Sequence, residues 1–247
     1  MINSKIRRKH RAFVLLFFIS FGLFSCTDKS NPIDSRQEVF PAVIDSLSIF
    51  ALGDSYTIGI SVSEDERWPN QLADTLEFYD ITVREVDILA RNGWTSKNLL
   101  SALKLKNIQR TYDLIGLLIG VNDQVQGYHI HDYEVNFREL LNIAIQLADN
   151  NPKRVFVLSI PDYTVTPEGR QFGNSRASEE IDAFNEINQS VSASYGVNYF
   201  YITDISRKAA DREDLVAADR LHFSGKMYAL WIDYLLDDMR ILFKNGF

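Results

Sequence analysis

Cysteine is almost missing from this chain: one residue, Cys26, among 247. A single thiol excludes an intramolecular disulfide framework and any cysteine-built zinc site. Glycine and proline are also sparse, at 12 and 6 residues, which excludes a collagenous or low-complexity chain. Excess positive charge is absent. With 26 Lys and Arg against 33 Asp and Glu, the formal charge is −7, and that argues against nucleic acid as a partner. Apolar side chains are plentiful at 46%, enough to exclude intrinsic disorder and to fill a sizeable core. The length suits one large domain or two small ones.

Charge is unevenly spread. Lys5, Arg7, Arg8, Lys9 and Arg11 precede an apolar run, Ala12 to Phe24, of 13 residues. A helix needs about 20 apolar residues to span a hydrocarbon core. A basic flank, a short apolar stretch and then small residues fit a secretory signal over residues 1–25, with an uncut membrane anchor as the alternative. Cys26 follows Leu23, Phe24 and Ser25, and polar residues come next. That context resembles a bacterial lipobox, although Phe24 departs from the small or β-branched residue usual there. The resemblance implies an exported lipoprotein, periplasmic or at the cell surface, acylated at Cys26. Residues 26–45 then read as a tether and residues 46–247 as the folded domain. Without the basic segment, 21 basic residues face 33 acidic ones, a net of −12.

From residue 46 onward two kinds of segment alternate. Strand-like apolar runs occupy Leu47–Leu52, Ile81–Leu89, Leu114–Ile119, Val155–Ile160 and Tyr199–Ile202. Between them, apolar residues recur at helical spacing: Trp68, Leu72, Leu76; Leu99, Leu100, Leu103; Phe137, Leu140, Leu141, Ala144, Ile145, Ala148. Ile181, Phe184, Ile187, Asn188 and Val191 make a fourth stripe, and Tyr228, Trp231, Ile232 and Leu235 a fifth. Short apolar strands separated by amphipathic helices predict a parallel sheet covered on both faces, a three-layer α/β domain. The longest weakly patterned stretch, Pro161 to about Ala177, reads as a functional or mobile loop.

Ligands of such sheets bind at the carboxyl ends of the strands. Gly53-Asp54-Ser55 follows the first strand, Asn92-Gly93 the second, Gly120-Val121-Asn122-Asp123 the third and Pro161-Asp162-Tyr163 the fourth; Asp219-Arg220-Leu221-His222 precedes the last helix. A serine nucleophile needs a base, and the base an orienting carboxylate. His10 leaves with the signal, and His129 and His131 read as surface residues without a convincing third metal ligand. His222 has Asp219 three residues before it, close enough to bond the ring. Each residue also has a plain structural reading. Ser55 and Asp54 suit a turn or helix cap, Gly93 a tight turn and Asn122 a cap, while Asp219 and His222 suit a satisfied pair. No such reading accounts for all of them in order at successive strand ends.

Taken together, Gly53-Asp54-Ser55, Asn92-Gly93, Gly120-Val121-Asn122-Asp123 and Asp219-x-x-His222 resemble the four blocks of the SGNH (GDSL) hydrolases, over about residues 47 to 240. The resemblance implies a flavodoxin-like five-stranded sheet in the order 2-1-3-4-5 and a serine esterase site without metal or organic cofactor. It implies Ser55 as nucleophile, His222 as base and Asp219 as its orienter, with the Ser55 and Gly93 N–H groups and the Asn122 amide as the oxyanion hole. The nucleophile elbow Gly-x-Ser-x-Gly is absent, since Thr57 stands at its second glycine.

The substrate is expected to be a small ester, a short acyl chain such as acetyl, carried on carbohydrate. The alternatives are a lysophospholipase, an acyltransferase, and a non-catalytic glycan-binding lipoprotein on the same scaffold. Tyr56, Trp94, Tyr163 and Phe172 are candidates to line an acyl or sugar site, with core or loop packing as the default. Arg170 and Arg176 are candidates to meet an anionic group, with plain exposure as the default.

Overall fold

The computed structural model describes residues 46–244. The signal at residues 1–25, Cys26 and the rest of the tether to residue 45 therefore lie outside the described residues. Five strands form one sheet: β1 (Leu47–Gly53), β2 (Val83–Ala90), β3 (Leu114–Leu118), β4 (Val155–Leu158) and β5 (Asn198–Phe200). Every pairing is parallel, and the order is β2-β1-β3-β4-β5. The central strands β1, β3 and β4 are buried along their whole length, as expected when helices cover both faces.

The five stripes become the five long helices: α2 (Trp68–Phe78), α3 (Ser96–Lys106), α5 (Ile130–Leu147), α7 (Ala177–Tyr195) and α9 (Gly225–Lys244). Among the stripe residues, Trp68, Leu72, Leu99, Phe137, Leu140, Ile181, Trp231 and Leu235 are all fully buried. α2 packs on α9, while α3, α5 and α7 pack in succession. Parallel crossovers are right-handed. The chain moves from β1 outward to β2, then reverses past β1 to β3, so the two helix groups cover opposite faces. That reversal leaves a crevice at the carboxyl ends of β1 and β3. Short helices α1 (Ser55–Ile58) and α4 (Val121–Val125) start there, directly after those strands.

Two sequence expectations need correction. The fourth and fifth strands stop earlier than their apolar runs. Asn185 on α7 takes over the backbone of Ile160, accepting its N–H at 2.7 Å and donating to its carbonyl at 3.0 Å. The Ile202 N–H bonds the Ser159 hydroxyl at 2.8 Å. Ile160 and Ile202 stay fully buried, so hydrophobicity outlasts the ladder. The stretch after Pro161 is also more ordered than a plain loop. It holds a 3₁₀ turn at Tyr163–Val165 and helix α6 (Gly169–Phe172). Asp162 starts the turn by accepting from the Thr164 N–H and hydroxyl. Burial would raise the Asp162 pKa, but donors from Ser178, Thr164 and Arg207 outweigh it and hold it below the usual range. Arg207, in helix α8 (Thr203–Arg207), reaches it at 3.0 Å. This segment is a strap pinned at its first residues.

Candidate active site

β1 ends at Gly53, and Asp54 turns the chain into α1 by accepting the Tyr56 N–H at 3.0 Å. Ser55 is thereby placed in the first turn of a helix, where backbone N–H groups have no intrahelical acceptor. β3 ends in the same crevice. Gly120 has φ of +127°, and a Cβ there would strike the Tyr133 hydroxyl and Ile160, so only glycine permits the turn that delivers Asn122. Asn122 does not cap its helix. Its Nδ2 donates to the Trp94 carbonyl at 3.0 Å. A carbonyl can only accept, so that contact fixes the amide orientation and leaves a second N–H free. Gly93 precedes Trp94 with φ of +80° and open space around its Cβ position. Backbone conformation is what requires glycine there.

The last component arrives on a tight loop. Val216 bridges Phe223, the Ala217 N–H bonds the His222 carbonyl at 2.8 Å, and Arg220 sits at φ of +64° at the turn. Asp219 Oδ2 meets His222 Nδ1 at 2.6 Å, while Oδ1 accepts the N–H groups of Leu221 and His222. Partial burial raises the Asp219 pKa. The Leu221 N–H, the His222 ring, the Ser61 hydroxyl and the His222 N–H outweigh it and bring the group down to about 2. Asp219 is thus anionic wherever His222 would act as a base. His222 is 8% exposed, with the Tyr56 ring edge-on at 5.7 Å.

Ser55, Asn122 and His222 line one cavity of about 360 Å³, together with Tyr56, Asn92, Val121, Val125, Tyr163, Phe172 and Leu221. Gly93 flanks this lining beside Asn92, and Asp219 stands behind His222. No hydrogen bond joins the Ser55 hydroxyl to His222 in this structure; such bonds commonly tighten only when substrate is bound. Phe172, expected by default to be packed, is 68% exposed. α6 is only four residues long and presents this ring at the cavity rim. Trp94 packs against the core instead of lining the cavity. Arg176 faces Glu179 at 3.8 Å, and Arg170 borders a separate cavity of about 250 Å³. His129 and His131 are exposed at the start of α5, and no group of three metal-ligand side chains occurs among the described residues.

The chain matches the model of the GDSL-like lipase/acylhydrolase family over residues 51–230. It belongs to that family. Membership makes this GDSL-family chain a carboxylic ester hydrolase. Its fold is similar to that of the psychrotrophic esterase EstA from Pseudoalteromonas sp., solved in a form inhibited by monoethylphosphonate. The match has a TM-score of 0.60 at 18% identity and covers 81% of this chain and 100% of EstA. It is likewise similar to Axe2, an acetylxylan esterase from Geobacillus stearothermophilus, with a TM-score of 0.60 at 16% identity, covering 79% of this chain and 95% of Axe2. TesA matches with a TM-score of 0.61 at 17% identity, over 79% of this chain and 99% of TesA. No curated protein matches significantly in sequence.

Two features of this GDSL-family site carried no sequence signal. Ser61 donates to Asp219 Oδ2 at 2.7 Å across 158 residues. Asp54, legible as a cap, is also 1% exposed, and its Oδ2 has no hydrogen-bond partner. Burial, opposed by the Tyr56 N–H and reinforced by the charge of Asp123, raises its pKa to about 8. At neutral pH Asp54 is therefore a neutral acid beside the nucleophile position. An unfolded aspartate releases its proton near pH ~4. Between there and about 8 the folded chain binds more protons, so stability falls as pH rises. Asp54→Asn keeps the acceptor for Tyr56 but cannot ionise. Its Tm is expected to match wild type near pH ~5 and to exceed it by several degrees near pH ~9, at about 2–4 °C per kcal/mol for this length. Parallel Tm-against-pH curves for the two proteins would contradict the assignment.

Proposed function

We propose that the chain is a serine esterase that cleaves short acyl esters, acetyl foremost, from a carbohydrate-like alcohol through an acyl-enzyme. The observation that carries this reading is the partly buried Asp219–His222 pair at 2.6 Å, whose histidine lines the cavity that Ser55 and Asn122 also line. In the proposed cycle the Ser55 oxygen attacks the ester carbonyl carbon as His222 takes its proton. The carbonyl oxygen becomes an oxyanion held by the N–H groups of Ser55 and Gly93 and by the free Asn122 N–H. Collapse breaks the bond to the alcohol, which leaves with the proton from His222. Water, deprotonated by His222, then attacks the acyl-enzyme and releases the acid. Asp219 orients the imidazole and stabilises its charged form throughout.

The exposed Phe172 ring at the rim supports a sugar-like leaving group, since a flat aromatic surface suits the apolar face of a pyranose. Axe2, an acetylxylan esterase, shares the fold. The aliphatic lining from Val121, Val125 and Leu221 favours a second reading, a lipid esterase of lysophospholipase type. Initial rates on acetylated xylo-oligosaccharides, p-nitrophenyl esters of graded chain length and lysophosphatidylcholine separate the two. The first reading expects the highest kcat/KM on acetyl esters. Preference for the longest chains, with lysophosphatidylcholine cleaved, supports the second, and no turnover of any ester fits a glycan-binding lipoprotein.

The same reading places the protein on a membrane through a lipid on Cys26, with residues 26–45 as the tether. Among the described residues no helix is long and apolar enough to cross a membrane. Two or more acyl chains anchor stably where one does not. In a bacterial host the wild type is expected to incorporate labelled palmitate and sediment with membranes, and Cys26→Ser to lose both. A Cys26→Ser protein that still sediments would refute the anchor.

A further inference from the structure

The Asp219 carboxylate has all four of its acceptor positions filled. Oδ1 takes the N–H groups of Leu221 at 3.0 Å and His222 at 2.9 Å. Oδ2 takes His222 Nδ1 at 2.6 Å and the Ser61 hydroxyl at 2.7 Å. Three of these donors belong to the tight loop that carries Asp219 itself. They fix the carboxylate relative to His222, and nothing in them relates that loop to the nucleophile. Ser61 is the exception, since it lies six residues after Ser55 on the segment that α1 leads into.

The backbone there is built to deliver it. Gly59 caps α1 in the left-handed conformation, the Ile60 N–H returns to the Ser55 carbonyl at 3.1 Å, and Ser61 itself sits at φ of +65°. A non-glycine residue with that φ is strained, and it persists where its surroundings hold it. The bond to Asp219 does that. One α-turn thus carries the nucleophile position at its start and, just past its end, the hydroxyl that grips the base's carboxylate.

We infer that Ser61 is a positioning residue that ties the acid–base loop to the nucleophile loop and sets the approach of His222 to Ser55. The inference rests on the reading of Asp219 and His222 as orienter and base. Ser61 also moderates the carboxylate, because a hydrogen bond to an anion disperses its charge. Without the hydroxyl, Asp219 attracts the imidazolium more strongly and the acid limb of kcat/KM moves to higher pH. A lost Asp219–His222 contact would move it the opposite way. Of the ionisable side chains around the pair, Tyr56 in α1 and Tyr228 in α9 are phenols that burial keeps neutral. Asp54, the cap of α1, raised to about 8, is common to wild type and both Ser61 variants, so the readout is the difference in the limb between them.

The test compares wild type, Ser61→Ala, Ser61→Gly and Asp219→Ala with p-nitrophenyl acetate across pH. Ser61→Gly removes the hydroxyl while relieving the left-handed backbone, so it folds even where alanine is strained. Both Ser61 variants are expected to lose about tenfold in kcat, with KM within about twofold and the acid limb raised by about half a pH unit. Wild-type kcat and acid limb in both, beside an impaired Asp219→Ala, would overturn the inference alone. So would a fall in kcat that tracks a lower Tm with the acid limb unmoved. Full activity in Asp219→Ala would overturn the orienter reading and the inference with it.

Discussion

Replacing Ser55 with alanine is expected to lower kcat for p-nitrophenyl acetate by about 10⁴-fold or more, with Tm unchanged. Without the hydroxyl no acyl-enzyme forms, and His222 has no proton to take from a nucleophile. The residual rate is what the oxyanion donors and binding give to attack by water. Folding is not the explanation for such a loss. Ser55 is 5% exposed, its hydroxyl makes no hydrogen bond among the described residues, and alanine at the head of α1 only removes an oxygen. Kinetics and thermal melts on the same preparation check both halves of the prediction. A variant within about tenfold of wild type would move the nucleophile elsewhere.

Asn122→Ala is expected to lose about 10²–10³-fold in kcat with little change in KM, equivalent to about 3–4 kcal/mol of transition-state stabilisation. The Trp94 carbonyl engages one N–H of the amide at 3.0 Å. The amide is thereby held before substrate arrives, so reorganisation costs little at the moment the oxyanion forms. The variant also leaves Trp94 without that donor, a stability cost of about 1 kcal/mol, visible as a small drop in Tm. Asn122→Asp is expected to be worse, because a carboxylate would face both the Trp94 carbonyl and the growing oxyanion. Steady-state kinetics on the two variants measure this directly. A KM effect with unchanged kcat would assign Asn122 to ground-state binding.

The sheet and the long helices were legible because their stripes and apolar runs obey the periods of the elements they form. The strand ends were not, because Ile160 and Ile202 remain buried after side chains of Asn185 and Ser159 have taken over their backbone groups. The four site blocks could be read because each is local, a few residues at a strand end or on one tight turn. Ser61 could not. Its role needs a left-handed backbone and a contact across 158 residues, and a lone serine in a polar stretch signals neither. The acidity of Asp54 was hidden for a related reason: its sequence neighbours suggest a cap, while burial and the charge of Asp123 come from tertiary packing. Phe172 stands exposed because the strap bends into a four-residue helix around it, which apolarity alone does not reveal.

In a serine esterase of this design one hydroxyl, that of Ser55, is chemically unlike every other in the chain. Intact-mass analysis after treatment with a fluorophosphonate, followed by peptide mapping, measures that. A single adduct is expected, on Ser55, absent from Ser55→Ala and formed far more slowly in His222→Ala. No adduct, or one on a different residue with Ser55 unmodified, would contradict it.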